Sequence, residues 1–279
     1  MNNGTIDAHH HFWQLSKYDY VWMSPDLGAL YRDFGPEDLR PLLKNQDIDR
    51  TVLVQTISSD DETSWFLELA DQYEFIAGVV GWVDLTDPQV GKRLDELKDS
   101  PKFVGIRHQV HDEPDPDWLI RDDVQRGLSE LARRSIPYDL LIRPQHLSVS
   151  RRVVEEFPEL RFVVDHIAKP AIASRGWDDW ATGIAALAVY PNVACKLSGM
   201  ITEADWERCQ PADLAPYIRH VIEQFGTDRV MFGSDWPVCL LADTYDKVVE
   251  GLTANLDQLS NHERQAVFGK TAAAWYGLK

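Results

Sequence analysis

Short runs of β-branched and apolar residues recur eight times along the chain, each followed by an amphipathic or long polar stretch. They are Thr5–His11, Arg50–Gln55, Ile76–Val83, Phe103–His108, Tyr138–Ile142, Arg161–His166, Asn192–Ser198 and Arg229–Asp235. Strands covered by helices on both faces read as such continuous apolar runs, whereas half-exposed strands alternate. Between the runs, Glu62–Tyr73 carries Trp65, Phe66, Leu69, Ala70 and Tyr73 at helical spacing. Pro36, followed by Glu37 and Asp38, marks another helix start, because proline suits the first turn and acids favour the helix N-terminus. Strand–helix alternation of this kind predicts an α/β protein, a closed (β/α)8 barrel in a single domain over residues 1–279, with an open doubly wound sheet as the alternative. No GxGxxG or GxxxxGK follows any run, which counts against a nucleotide-binding open sheet. The longest irregular stretches are expected at Asp19–Phe34, Gln109–Trp118 and Lys169–Trp177.

Composition narrows the partners. With 44% hydrophobic and 26% charged residues the chain is ordinary globular material, neither disordered nor a disulfide scaffold. A net charge of -17 without any basic run opposes nucleic acid and anionic membrane surfaces, leaving a neutral small molecule as the expected partner. Cys195, Cys209 and Cys239 form no CxxC pair, so they read as reduced thiols of a cytoplasmic protein. Met1–Ile6 shows no leader pattern, and no apolar stretch approaches a membrane span. The state of association, homo-oligomer included, is left open.

Polar residues gather where the runs end: His9 and His11, Gln55, Arg107 and His108, His166, Lys196 and Asp235. In a barrel those ends form the catalytic face. His9 and His11, two apart on a strand, can face one ion or one substrate atom together, or can be structural histidines. Asp235 follows an apolar run and needs cations, hydrogen bonds or a metal if buried; helix N-capping is its other reading. Arg107 and His108 read as a carbonyl or carboxylate clamp, with an ion pair at the strand end as the alternative for Arg107. Lys196 is a lone lysine in a buried run, and Lys169 a loop cation. Among ten tryptophans, Trp13, Trp82, Trp118 and Trp236 stand beside the expected mouth, where rings cover the apolar faces of a sugar. His146 is either a further mouth residue or a cap.

The segments Asp7-Ala8-His9-His10-His11, Asp165-His166-Ile167-Ala168-Lys169-Pro170, Lys196-Leu197-Ser198-Gly199 and Phe232-Gly233-Ser234-Asp235-Trp236-Pro237, in this order, resemble the amidohydrolase superfamily. Gly81-Trp82-Val83-Asp84 and Gly105-Ile106-Arg107-His108 extend the likeness to the branch of sugar-lactone hydrolases acting on fuconolactone and rhamnonolactone. The resemblance implies a distorted TIM barrel in which His9 and His11 are the first-strand pair, His166 the DHxxxP histidine and Asp235 the final-strand acid. No lysine stands where dinuclear relatives carry a bridging one. Lys196 replaces a further histidine. The implied cofactor is therefore at most one divalent ion, zinc first, on His9, His11, Asp235 and His166, with a metal-free site as the rival.

The expected reaction is opening of a sugar 1,4- or 1,5-lactone, with Asp235 as general base. Arg107 and Lys196 are expected to steady the oxyanion, with His166 among the catalytic groups. Trp13, Trp82, Arg107, His108, His146 and Trp236 are the expected substrate contacts. A metal-dependent decarboxylase of a small aromatic acid and a non-catalytic sugar-binding barrel are the alternatives.

Overall fold

In the computed structural model, which describes residues 4–279, eight parallel strands lie in sequential order. The leader reading of the extreme N-terminus therefore falls partly outside the described residues. The first half runs β1 (Ile6–His10), α1 (Pro36–Asn45), β2 (Arg50–Val54), α2 (Asp60–Gln72), β3 (Ile76–Gly81), α3 (Val90–Lys98), β4 (Phe103–His108) and α4 (Asp122–Arg134). The second half runs β5 (Tyr138–Leu140), α5 (Leu147–Glu156), β6 (Phe162–Val164), α6 (Asp178–Ala188), β7 (Val193–Leu197), α7 (Pro211–Phe225), β8 (Val230–Phe232) and α8 (Tyr245–Ala254). Sequential order is what a barrel requires, so the open-sheet alternative falls.

Closure is irregular. Where β8 ends, its extension completes the ring: Asp235 N–H donates to the His9 carbonyl at 2.8 Å and His11 N–H to the Trp236 carbonyl at 2.7 Å. Gly233 is needed there, since a Cβ would come within 2.6 Å of the His9 Cβ. Strands β5, β6 and β8 are shorter than their apolar runs because the chain turns toward the site before the run is spent.

Two apolar clusters hold the barrel. The larger packs helices against the outer strand faces; the smaller joins strand residues such as Ala8, Val80, Val163, Ala194 and Met231 to the C-terminal helix. That region, α9 (Asn261–Gln265) and α10 (Thr271–Tyr276), covers the N-terminal ends of the strands. Arg50, at the start of β2, bonds the Lys279 carbonyl at 2.8 Å. With the bottom plugged, the strand C-termini are left as the open face. Among the described residues no helix is long and apolar enough to cross a membrane, and the three cysteines are free.

Candidate active site

Strand β1 and the residue that follows it deliver His9 and His11 despite a register shift against β2 between Asp7 and His10. The Nε2 atoms of His9 and His11 lie 3.1 Å apart, while His10 turns away to bond Thr51 Oγ1 at 2.8 Å. The buried Asp7 carboxylate fastens this strand to the last loop, accepting from the His9 and Ser234 amides at 3.1 and 2.8 Å and from the Tyr245 hydroxyl at 3.1 Å. Asp235, itself at φ 58°, then points Oδ1 at His11 Nε2 (3.3 Å), His9 Nε2 (3.7 Å) and His166 Nε2 (3.8 Å).

His166 arrives by an unusual route. Four successive non-glycine residues, His166, Ile167, Ala168 and Lys169, have φ between 49° and 62°. The left-handed region costs an L-residue about 1–2 kcal/mol, so this turn is strained and held by its surroundings. Ile167 and Ala168 are fully buried, and Trp180 Nε1 donates to the Ile167 carbonyl at 2.6 Å. The turn sets His166 Nδ1 2.9 Å from Ser198 Oγ, and Gly199 opposite leaves room, because a Cβ there would meet His166 Nδ1 at 2.5 Å.

Behind His9 lies a buried ionic lattice. Lys196 Nζ, fully buried, bonds Asp139 Oδ2 at 2.6 Å and Asp165 Oδ1 at 2.9 Å, and stands 3.2 Å from His9 Nδ1. Arg107 Nη1 bonds Asp165 Oδ2 at 3.0 Å, and its Nη2 donates to the Gln55 carbonyl. The Tyr276 hydroxyl reaches up from the bottom plug to Asp139 Oδ2 at 2.7 Å. Burial opposes ionisation of Asp165, yet Lys196, His9 and Arg107 outweigh it and hold the group well below the usual carboxylate range. Burial dominates at Asp139 and raises it to about 6 despite Lys196.

Charge counting isolates Asp235. Two carboxylates and two cations balance in the lattice, and burial pushes the pKa values of His9, His11 and His166 down, so these rings are neutral near pH 7. The Asp235 pKa also lies below the usual carboxylate range although burial opposes its ionisation, with the Lys169 ammonium at the cavity among the charges that favour the anion. Among the described residues no Lys or Arg bonds it. Moreover, His11 Nδ1 lies 2.8 Å from the Val54 carbonyl, which can only accept, so Nε2 carries a lone pair aimed at a carboxylate oxygen. A buried anion facing a lone pair calls for a cation. His9, His11 and Asp235 offer two neutral nitrogens and one carboxylate close together, a donor set that fits one divalent ion. A second grouping, His9, Asp165 and His166, shares His9, and its Asp165 is already engaged by Lys196 and Arg107.

A cavity of about 300 Å³ opens above, touched by His11, Arg107, His166, Lys169 and Asp235. Its remaining wall is largely apolar, from Leu27, Leu30, Leu141, Val238 and Leu241. Several expected contacts are not on it. Trp13 is fully buried, edge-on to Trp22 and Phe34, and Trp236 is buried against Phe12 and Phe34. Trp82 Nε1 donates to His108 Nδ1 at 3.0 Å, while the other His108 nitrogen meets Glu113 at 2.6 Å and its ring stacks on Trp118. His146 caps, its Nδ1 accepting from the Arg143 amide at 3.1 Å. Of the pair expected as a clamp, Arg107 meets the cavity and His108 does not. Lys196 lies behind His9 rather than on the cavity, and both cations are already paired. Lys169, set aside as a loop cation, touches the cavity and pairs with Glu203 at 2.7 Å.

The tryptophan that does meet the cavity is Trp22. It sits in the irregular β1–α1 segment, where spacing carries no information about direction. Asp139 and Asp165 were legible by the signal that marked Asp235, an acid within or just after an apolar run.

The model of the amidohydrolase family matches residues 6–278. The chain belongs to the amidohydrolase family. Among amidohydrolase relatives, an L-fucono-1,5-lactonase of Burkholderia ambifaria is 41% identical over 98% of this chain and 95% of its own length. A second L-fucono-1,5-lactonase, from Burkholderia multivorans, is 40% identical over 98% and 96%. A crystal structure of a Burkholderia multivorans amidohydrolase with bound zinc superposes with a TM-score of 0.94 at 38% identity, covering 99% of both chains.

Proposed function

We propose that this chain hydrolyses the ring ester of a neutral sugar lactone, an aldonolactone of the fuconolactone type, giving the open hydroxy acid. The observation that carries this reading is Asp235, an ionised carboxylate facing histidine nitrogens beside a cavity sized for one sugar ring. The likeness to two L-fucono-1,5-lactonases over nearly the full chain supports it.

Asp235 takes a proton from a water molecule as that water's oxygen bonds to the lactone carbonyl carbon. The carbonyl oxygen gains negative charge, and the Arg107 guanidinium at the cavity is the donor toward it. The ring C–O bond then breaks, and the leaving alkoxide recovers the proton from Asp235 or through His166. Lys196 acts one step back: with Asp165 it fixes the His9 ring. His9, His11 and Asp235 would hold one divalent ion, assigned as zinc because two neutral imidazoles and a carboxylate suit it, and a 38%-identical relative carries it. The chemistry such an ion supplies is Lewis acidity.

The dihydroxybenzoate decarboxylases among the structural neighbours are 14% and 12% identical, a likeness of fold alone. The test is a panel of sugar 1,4- and 1,5-lactones followed by pH-stat titration, with metal content measured on the same sample. Release of one proton per ring opened is expected. Carbon dioxide from an aromatic acid without lactone opening would establish the decarboxylase instead, and binding without turnover a sugar-binding barrel.

A further inference from the structure

Glu62 is a fully buried carboxylate that the reaction does not use. It stands three residues after Ser59, the N-cap of α2, whose hydroxyl accepts from the Glu62 amide at 3.2 Å. In that position a glutamate ordinarily reaches back to the amide of its own cap. Here the Ser59 amide bonds the Ile57 carbonyl instead, and the Glu62 carboxylate passes beyond it. Its Oε2 accepts from the Thr56 amide at 2.8 Å and the Ile57 amide at 3.2 Å, and the Thr56 hydroxyl donates to Oε1.

Thr56 is itself a junction. Its carbonyl accepts from Trp22 Nε1 at 3.2 Å and from Gln109 Nε2 at 2.9 Å, and Trp22, Thr56 and Gln109 all line the catalytic cavity. The single carboxylate therefore holds the residue on which a ring from the β1–α1 segment and an amide from the β4–α4 segment are hung. We propose that Glu62 is a positioning residue that sets the Trp22–Thr56–Gln109 wall and through it the affinity for the lactone ring, without touching substrate. This rests on the lactonase reading for its kinetic consequence and on geometry alone for its structural one.

The titratable groups facing Glu62 are Arg107 from β4 and Tyr18 and Tyr20 from the segment after β1. Burial raises Glu62 to about 7, against the bonds from Thr56 and Ile57 and the charge of Arg107. The bonds to its carboxylate are charge-assisted only while it is ionised, so the wall loosens as pH falls through that value.

The experiment compares wild type with Glu62→Gln on a neutral lactone between about pH 5.5 and pH 8, and follows amide hydrogen exchange across residues 55–60 by mass spectrometry. Loss of the charge-assisted bonds is expected to raise KM about five- to thirty-fold at pH 8, with kcat within about twofold. The wild-type KM should climb toward acid pH while the variant's stays flat, and exchange at Thr56 and Ile57 should quicken in the variant. Unchanged KM and unchanged exchange, or a fall in kcat with KM constant, overturns the proposal. Should Glu62→Gln not fold, the wild-type profile decides: a KM without an acid limb near pH 7 overturns it. A wild type that opens no lactone defeats the lactonase reading, and amide exchange then decides the role of Glu62 by itself.

Discussion

Replacing Lys196 with methionine tests whether the ionic lattice behind His9 is a balanced unit. The ammonium is fully buried and bonds Asp139 at 2.6 Å and Asp165 at 2.9 Å, so its removal leaves two buried carboxylates facing one remaining cation, Arg107. Breaking a buried pair from one side costs about 3–5 kcal/mol, chiefly from the charge left uncompensated. Asp165 keeps Arg107, whereas among the described residues Asp139 keeps the Tyr276 hydroxyl and no cation, so Asp139 bears the loss. Its pKa is already raised to about 6 and rises further without the lysine. A carboxyl group that binds its proton more tightly folded than unfolded makes stability fall as pH rises, so the deficit is largest above the folded pKa. It should shrink on acidification by about 1.4 kcal/mol per pH unit for the proton taken up. Urea unfolding at about pH 8 and pH 5.5 should therefore show Lys196→Met losing about 3–5 kcal/mol at the higher pH and distinctly less at the lower. The double variant Lys196→Met with Asp139→Asn removes one charge of each sign and should recover much of the loss. A deficit equal at both pH values, or two additive substitutions, would refute the balanced lattice.

Asp235→Asn preserves shape but cannot accept a proton, and lactone turnover by pH-stat should drop ~10²–10⁴-fold with the unfolding midpoint retained. Because both possible donor groups share His9, elemental analysis should find no more than one divalent ion per chain, and none in His11→Ala; two ions in the wild type would contradict the shared-ligand geometry. Ala168→Gly relieves a residue at φ 62° but removes a buried methyl, terms of ~1 kcal/mol each, so its stability should change by less than about 1 kcal/mol. Ala8→Gly, equally buried but in β1, has no such strain to relieve and should cost about 1.5 kcal/mol or more in the same urea titration.

The barrel and the cluster of ionisable residues at its strand ends are legible in the sequence, for a local reason. Parallel strands buried on both faces must be apolar, so an ionisable residue at the end of such a run stands out, and His9, His11, Arg107, His166, Lys196 and Asp235 all did. Their convergence follows from topology: strands laid in sequence order around a ring bring their C-terminal ends to one face. What the sequence could not determine was direction and pairing. Trp13 and Trp236 lie beside the site in sequence, yet their rings are buried against Phe12, Trp22 and Phe34 of the β1–α1 segment, while Trp22 also reaches the cavity. His108 spends both nitrogens on Trp82 and Glu113, and the cations expected to meet the oxyanion are balanced by Asp139 and Asp165, whose partners lie tens of residues away. A strand's period says which residues share a face, but not which charges meet across a barrel. Those meetings depend on burial, which makes an unpaired charge too costly to keep, and only the closed tertiary structure supplies the burial and the partner together.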